Sequence, residues 1–520
     1  MSQTNKTAKS VLIIMIFTIS SKVLGFVREA LIAAKFGSGP ETDAFFVAMT
    51  ATSLFSALVS QSLNTTMIPI LSEVEVTEKK HGKIKHTNNI LNSVVLVSLL
   101  IILVAWILSP IIIRILANGF EGEQFNLAVT LTRIGLPVIL FAGILGVFRG
   151  YLQSELKFFE TGISEFPFNF IYIFFLIFFA GNYGIRGLMI ASVLAVASQI
   201  VLQIPALKNL NFKYKLVCNF KDKYILKMVH LVPPILIGVA INDINKIVDR
   251  SLASTLVEGS ISALNYATRL DNLVIGIFVT AILTVLFPTL SQKANDDNHD
   301  SLKKLIKYAV NIIIIITVPA TIGIIVLANP IVKIAFERGV FDSNATYMTT
   351  GALIFYSVGL VGTSVKMLLY KIYYSLQDTR TPMIDGFITV FFNVVFNFIL
   401  INFMAHRGLA FATSIAISIT SIFLLVKLKR KIGDFGLKSS ISCMLKSFCA
   451  SLIMGLIVYV AFDFLTINLS TGTLNELIIL LISIALGTLA YILIMYLFKI
   501  EELEWALGLI KNRIKTLRRK

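Results

Sequence analysis

The chain has 520 residues, 56% of them hydrophobic and 14% charged, with 46 Lys and Arg against 29 Asp and Glu for a net charge of +17. Soluble globular chains average about 45–50% apolar and roughly 25% charged, so this composition excludes a water-soluble domain and predicts an all-α polytopic membrane protein. The basic residues are dispersed between apolar blocks, which excludes a nucleic-acid binder.

In chain order, apolar runs long enough to cross a bilayer fall near 9–34, 43–71, 88–116, 126–153, 160–181, 186–207 and 227–255. They continue near 261–290, 305–328, 346–375, 382–404, 408–426, 443–465 and 474–498, which predicts about 14 transmembrane helices. The first carries Lys22 and Arg28 and lacks a small-residue cleavage site, so it reads as a spanning helix and not as a removable signal.

The loops between these runs alternate in charge. One set holds Lys79, Lys80, Lys83 and Lys85, then Lys208 through Lys227, then Lys293 to Lys307, then Lys427 to Lys431. The opposite loops around 118–125, 256–260 and 466–473 contain no Lys or Arg. By the positive-inside rule both termini are expected in the cytoplasm of a bacterial cell membrane, with an even number of crossings. The end of the chain, 501–520, repeats apolar residues at 3–4 spacing among basic ones (Leu503, Leu507, Ile510, Ile514), as expected of a basic amphipathic tail on anionic membrane lipids.

Self-comparison reveals a duplication. Pro69-Ile-Leu-Ser recurs at Pro288-Thr-Leu-Ser, Pro110-Ile-Ile-Ile at Pro330-Ile-Val-Lys, Arg186-Gly-Leu at Arg407-Gly-Leu, and Tyr151–Glu155 at Tyr374–Asp378, at offsets of 219 to 223. The expected organisation is an N-lobe over 1–220 (helices 1–6), a C-lobe over 221–432 (helices 7–12), a helix pair over 433–500, and the tail. Six crossings per half make the lobes parallel repeats about an axis along the membrane normal, the architecture of a transporter with a central cavity.

Charges inside the predicted helices concentrate on the first two of each half: Lys22, Arg28, Glu29 and Asp43, then Asp243, Lys246, Asp249, Arg250, Arg269 and Asp271. A charge at mid-bilayer costs at least about 2.5–3.5 kcal/mol, so ten such groups are untenable facing lipid and point to a polar pathway. Five cations and five anions suit an anionic headgroup held by guanidinium forks, with Glu29, Asp243, Asp249 and Asp271 as cavity acids for hydroxyls, amines or a cation.

There is no phosphate-binding Gly-rich loop followed by Lys-Ser/Thr, no nucleophile–base pair and no metal-ligand spacing among the five His and three Cys. The expectation is a transporter and not an enzyme, with no cofactor, no ATPase subunit and no metal centre.

Ser21-Lys-Val-Leu-Gly-Phe-Val-Arg-Glu29, Phe36-Gly-Ser-Gly39 and Thr42-Asp-Ala-Phe-Phe-Val-Ala48 resemble the MurJ/MviN lipid II flippases of the MATE-like MOP exporter superfamily. Asn265-Tyr-Ala-Thr-Arg-Leu270, Phe336-Glu-Arg-Gly-Val-Phe-Asp342, Tyr356-Ser-Val-Gly-Leu360 and Asp378-Thr-Arg-Thr-Pro382 extend the resemblance over nearly the whole chain. It implies translocation of an undecaprenyl-diphosphate-linked saccharide, the peptidoglycan precursor lipid II, for cell wall biogenesis. It implies substrate-binding residues at Lys22, Arg28, Asp43 and Arg269, to which the charge pattern adds Lys246 and Arg250. It also implies a lipid-tail groove on the last helix pair, and coupling to a monovalent cation (Asp243, Asp249 or Asp378) or to the membrane potential. A monomer is expected. The sequence departs from the family pattern at Ser56 and Gln61, where a cavity arginine and an acid are usual, and at Ala267-Thr268-Arg269, where Ala-Asp-Arg is usual. With these departures a related lipid-linked glycan (an exopolysaccharide or teichoic precursor) stands as the alternative, ahead of a multidrug/cation antiporter.

Overall fold

A computed structural model describes residues 3–294, 300–468 and 472–498. The described chain is helical, with no strand among its residues: α1 (Gln3–Phe36), α2 (Pro40–Leu116), α3 (Gly122–Gly135), α4 (Val138–Ser154), α5 (Phe158–Gly162), α6 (Glu165–Phe178), α7 (Ala180–Asn209) and α8 (Lys223–Ser254). Next come α9 (Ser260–Val274) and α10 (Thr280–Ala294), joined by a π-helical turn over Ile275–Val279, then α11 (Asp300–Phe336), α12 (Ser343–Val358) and α13 (Leu360–Ser375). The last are α14 (Arg380–Met404), α15 (His406–Ile432), α16 (Leu437–Asn468) and α17 (Thr473–Leu497). The tail over 501–520 lies outside the described residues.

Among the described residues ten helices are long and apolar enough to cross a membrane, or eleven if α12 and α13, bent by 46° at Gly359, count as one. The fourteen predicted segments all fall in helical stretches, but 126–153, 160–181, 261–290 and 346–375 each span more than one helix. The two predicted segments 43–71 and 88–116 lie on either side of a break in α2 at Lys79, whose φ is 58°. Segments 9–34 and 227–255 lie on α1 and α8.

The backbone repeats with the sequence. Leu156 and Gln377 adopt φ of 60° and 57°, and Gly184 and Ala405 adopt φ of 55° and 51°, so each left-handed pair is separated by 221 residues. For Leu, Gln and Ala this conformation costs about 1–2 kcal/mol, which makes its recurrence at one offset a structural signature of the duplication.

By packing, the described chain divides into two compact units, one of residues 1–262 with 338–342 and one of 263–337 with 343–520. The first has its core where Leu63, Met67 and Leu71 of α2 meet Val147 and Tyr151 of α4 and Tyr224 of α8. Thus α8, which the duplication assigns to the second half of the sequence, packs in the first unit. The second unit is centred on Ile306 and Ile313 of α11, Leu368 and Ile372 of α13, and Leu424 and Leu428 of α15. Its α16 and α17 pack on α11 through Met454, Val458 and Leu480, and the Tyr491 hydroxyl donates to the Ile315 carbonyl (2.9 Å). Outward faces carry exposed Leu, Ile and Phe, as lipid contact requires.

Candidate functional site

In the first unit, the α1 charges are organised by α6. Arg28 Nη1 donates to Asn169 Oδ1 (3.0 Å) and Nη2 to Glu29 Oε1 (2.7 Å). Its guanidinium carbon lies 5.2 and 5.1 Å from the ring centres of Phe168 and Tyr172. Asn169 is itself fixed, its amide donating to the Glu165 carbonyl (3.1 Å), while Ser21 Oγ donates to Glu165 Oε2 (2.9 Å). Residues 21, 25, 28 and 29 share one side of α1, so a single face meets α6. Helical geometry puts Arg28 about 120° round from Lys22, and that direction is the α6 face. Lys22 is half-buried.

Asp43 has a different place from the lining position expected of it. It is buried at the start of α2, with Oδ2 accepting from the Gly259 amide (2.7 Å) and Oδ1 from the Ser262 amide (2.7 Å) and hydroxyl. It therefore caps the N-terminus of α9, where a carboxylate satisfies orphan amides and meets the positive end of the helix dipole. Arg250 attracts the same carboxylate and donates from Nη1 to the Ile261 carbonyl (3.2 Å). Around this cap, Ser38 Oγ donates to the Gly259 carbonyl (3.0 Å), the Gly119 amide to Ser254 Oγ (3.1 Å) and the Val340 amide to the Ala34 carbonyl (2.9 Å). Two glycines permit the approach. Gly259 (φ +86°) would place a Cβ 3.0 Å from Ser38 Oγ, and Gly339 (φ +62°) would place one 2.2 Å from the Ala34 carbonyl oxygen. The result is a cap joining segments 34–43, 117–119, 250–262 and 338–342, drawn from both halves of the repeat and contained in one unit.

On α8, Asp243 and Lys246 form an i,i+3 ion pair (2.9 Å), with Asp243 nearly buried and Lys246 exposed. Asn245 Nδ2 lies 3.5 Å from Asp249 Oδ2. Arg269 and Asp271, on α9, belong to the second unit. The Arg269 side chain is exposed, and Asp271 Oδ1 is buried without a hydrogen-bond partner among the described residues. The π-helical turn begins four residues later, a feature that concentrates at functional positions. At two of the departures from the family pattern, Ser56 Oγ donates to the Ser53 carbonyl (3.2 Å) and Gln61 is exposed.

Asp378 is committed elsewhere. Lys431 donates to its Oδ2 (2.6 Å), and the Thr381 amide and hydroxyl donate to Oδ1 and Oδ2 (2.9 Å each). Burial pushes this carboxyl up, but Lys431 and Thr381 outweigh burial and hold it down at about 2. A group with this lowered value contributes stability that is complete above the ordinary carboxylate range and is lost only as pH falls toward about 2. The α13–α14 junction is thus expected to be insensitive to pH between about 5 and about 8. Asp378→Asn is expected to lower the melting temperature equally across that range, as read by thermal unfolding in detergent at several pH values. Among the described residues no group of three or more His, Cys, Asp or Glu could hold a metal ion.

One intramembrane pair escaped the sequence reading, which attended to the first two helices of each half. Lys366 of α13 contacts Asp385 Oδ2 of α14 (2.7 Å), a carboxylate that also accepts from the Tyr370 hydroxyl (2.9 Å). The ammonium also donates to Thr389 and to Thr420 of α15. Breaking a buried pair leaves an uncompensated charge and typically costs about 3–5 kcal/mol, whereas replacing both partners with apolar groups is close to neutral. Lys366→Met alone is therefore expected to lower the melting temperature sharply and Lys366→Met/Asp385→Leu to restore it. Two charges on neighbouring apolar helices were the available signal.

Comparison with known proteins follows the same outline. The family profile described as "Lipid II flippase MurJ" matches residues 32–500. A probable lipid II flippase MurJ of Rickettsia prowazekii is 30% identical over 413 residues, covering 78% of this chain and 81% of the relative. One from Buchnera aphidicola subsp. Acyrthosiphon pisum is 28% identical over 505 residues, 96% of this chain and 98% of the relative. Among solved structures, a lipid II flippase MurJ in an inward closed conformation superposes with a TM-score of 0.78 at 25% identity, covering 94% of this chain and 98% of that one. An inward-facing MATE multidrug transporter of the MOP superfamily shares the fold, with a TM-score of 0.65 at 18% identity over 80% of this chain and 95% of that one.

Proposed function

The chain belongs to the MurJ lipid II flippase family, and from that membership we propose that it carries lipid II from the inner to the outer leaflet of the bacterial cell membrane. The observation carrying this reading is the match across residues 32–500, which takes in every helix bearing the intramembrane charges except α1, whose Lys22, Arg28 and Glu29 precede it. The protein is a multi-pass membrane transporter. The lysine pattern supports both termini in the cytoplasm.

The mechanism we propose is alternating access between two lobes. In the first unit Lys22, Lys246 and the Arg28–Glu29 pair, and in the second unit Arg269, are each suited by charge to the diphosphate or its sugars. Asp271, a carboxylate with an unfilled acceptor, is suited to a sugar hydroxyl or a coupling cation. The cap on α9, built on Asp43, Gly259 and Gly339 and stiffened by Arg250, serves as the closure of the end opposite the basic loops. It must release for substrate to leave. Moving two negative charges toward a positive exterior gains roughly 4–5 kcal/mol at about 100 mV, so the membrane potential is a sufficient drive. Expression of this chain is expected to rescue growth and cell shape in a bacterium depleted of its own lipid II flippase. Drug resistance on expression without that rescue would refute the reading.

A further inference from the structure

The connection between α7 and α8 is held on α2 by a row of asparagines. Asn88 exchanges two bonds with the backbone, its amide donating to the Lys213 carbonyl (2.9 Å) and its oxygen accepting from the Lys215 amide (3.0 Å). Asn92 donates to the Lys215 and Val217 carbonyls (3.0 and 2.9 Å) and accepts from the Tyr214 hydroxyl (2.8 Å). Asn89 makes both bonds to the Asn219 backbone, at 3.1 and 2.7 Å. Alternate residues Tyr214, Leu216 and Cys218 line a cavity of about 420 Å³ whose other walls, apart from Asn92, are apolar, among them Val95, Leu96, Ile144 and Phe148. Lys213 and Lys215 are not part of that lining. Lys213, Lys215 and Lys221 are all exposed. The nearby carboxylates are occupied, Asp222 by His86 (3.0 Å) and Glu78 by His86 and Lys223 (2.8 and 3.6 Å).

The depth of this segment follows from α2. Beyond the break at Lys79, its exposed large apolar residues run from Leu96 to Ile115. At 1.5 Å per residue this stretch is about 30 Å, the thickness of the hydrocarbon core. Asn92 and Asn88 therefore lie roughly 6 and 12 Å beyond its edge, at headgroup depth. Leu216 is 83% exposed and Tyr214 60%, apolar surface that water disfavours and that an acyl chain entering the cavity would cover.

We propose that residues 213–221 and the cavity beneath them form a binding site for an anionic phospholipid of the surrounding bilayer. One acyl chain enters between Leu216 and Phe148, and the phosphate is held by Lys213, Lys215 and Lys221. The asparagine row keeps the backbone rigid, so that lipid binds a preformed surface. Cys218, on the cavity wall, is a built-in reporter.

The test uses the full chain with Cys443→Ala and Cys449→Ala, leaving Cys218 as the sole thiol, reconstituted in phosphatidylcholine vesicles with or without phosphatidylglycerol. Phosphatidylglycerol is expected to slow Cys218 alkylation by a water-soluble maleimide about tenfold or more, and to co-purify with the protein in native mass spectrometry. Each lysine near an anionic surface is worth about fivefold, so Lys213→Gln/Lys215→Gln/Lys221→Gln is expected to weaken retention roughly a hundredfold and remove the protection. Leu216→Ser, which leaves the charges in place, is expected to lose protection as well. Equal labelling in both vesicles, or full retention by the triple variant, would overturn the site. Protection by a polyprenyl diphosphate lipid but not by phosphatidylglycerol would overturn it too, by making it a station for substrate.

Discussion

Arg269→Ala is expected to abolish translocation, reducing it by about a hundredfold or more while leaving the protein in the membrane at its normal level. Arg269 stands exposed on α9, in the membrane span Ser260–Ala294. A guanidinium at that depth is costly unless it meets an anion or a polar pathway. Its two parallel donors match a phosphate fork, and each charge-assisted bond is worth about 1.5–3 kcal/mol. Arg269→Lys keeps the charge but loses the fork, so partial activity is expected from it. The measurement is complementation of a flippase-depleted strain, with membrane abundance followed by immunoblot. Full complementation by Arg269→Ala would show that the diphosphate is held elsewhere.

Asp43→Ala is expected to open the cap. The substitution strips acceptors from the amides of Gly259 and Ser262 together, and each buried amide left unmet costs about 1–3 kcal/mol. A change of about 3 kcal/mol moves a two-state equilibrium by roughly a hundredfold, enough to make the closed end the minor state. Asp43→Asn should be nearly as damaging, since its amide group would present donors to a donor. The readout is labelling of an introduced Ser38→Cys by a membrane-impermeant thiol reagent on intact cells. Strong labelling is expected in the Asp43 variants and weak labelling in the parent. Unchanged labelling would mean that the cap does not control access.

The sequence shows much of the architecture, for a physical reason. A bilayer forces spanning segments to be long, apolar and helical, and it sorts lysines to one side, so composition and spacing carry most of the fold. The duplication was likewise visible as recurring Pro and Arg-Gly motifs, and the backbone repeats it at Leu156 and Gln377. Side-chain partnership was not legible. Nothing in the spacing around Arg28 says that Asn169, some 141 residues on, takes its guanidinium. Asp43 reads as a cavity acid until its distant amide partners are known, because a carboxylate that caps a helix and one that lines a pathway look alike in sequence. Lys366 and Asp385 were overlooked because they fall outside the positions where charge clustered.

As a member of the lipid II flippase family, this chain is expected to move lipid II between leaflets. The most direct measurement is the accessibility of lipid II, beside that of other lipid-linked glycans, at the outer surface of cells whose only flippase is this protein. Accessibility is followed after acute inactivation, for instance by inducible degradation of the protein. Lipid II is expected to disappear from the outer surface within minutes while other lipid-linked glycans stay accessible. Continued exposure of lipid II, with loss of a different glycan instead, would show that lipid II is not its substrate.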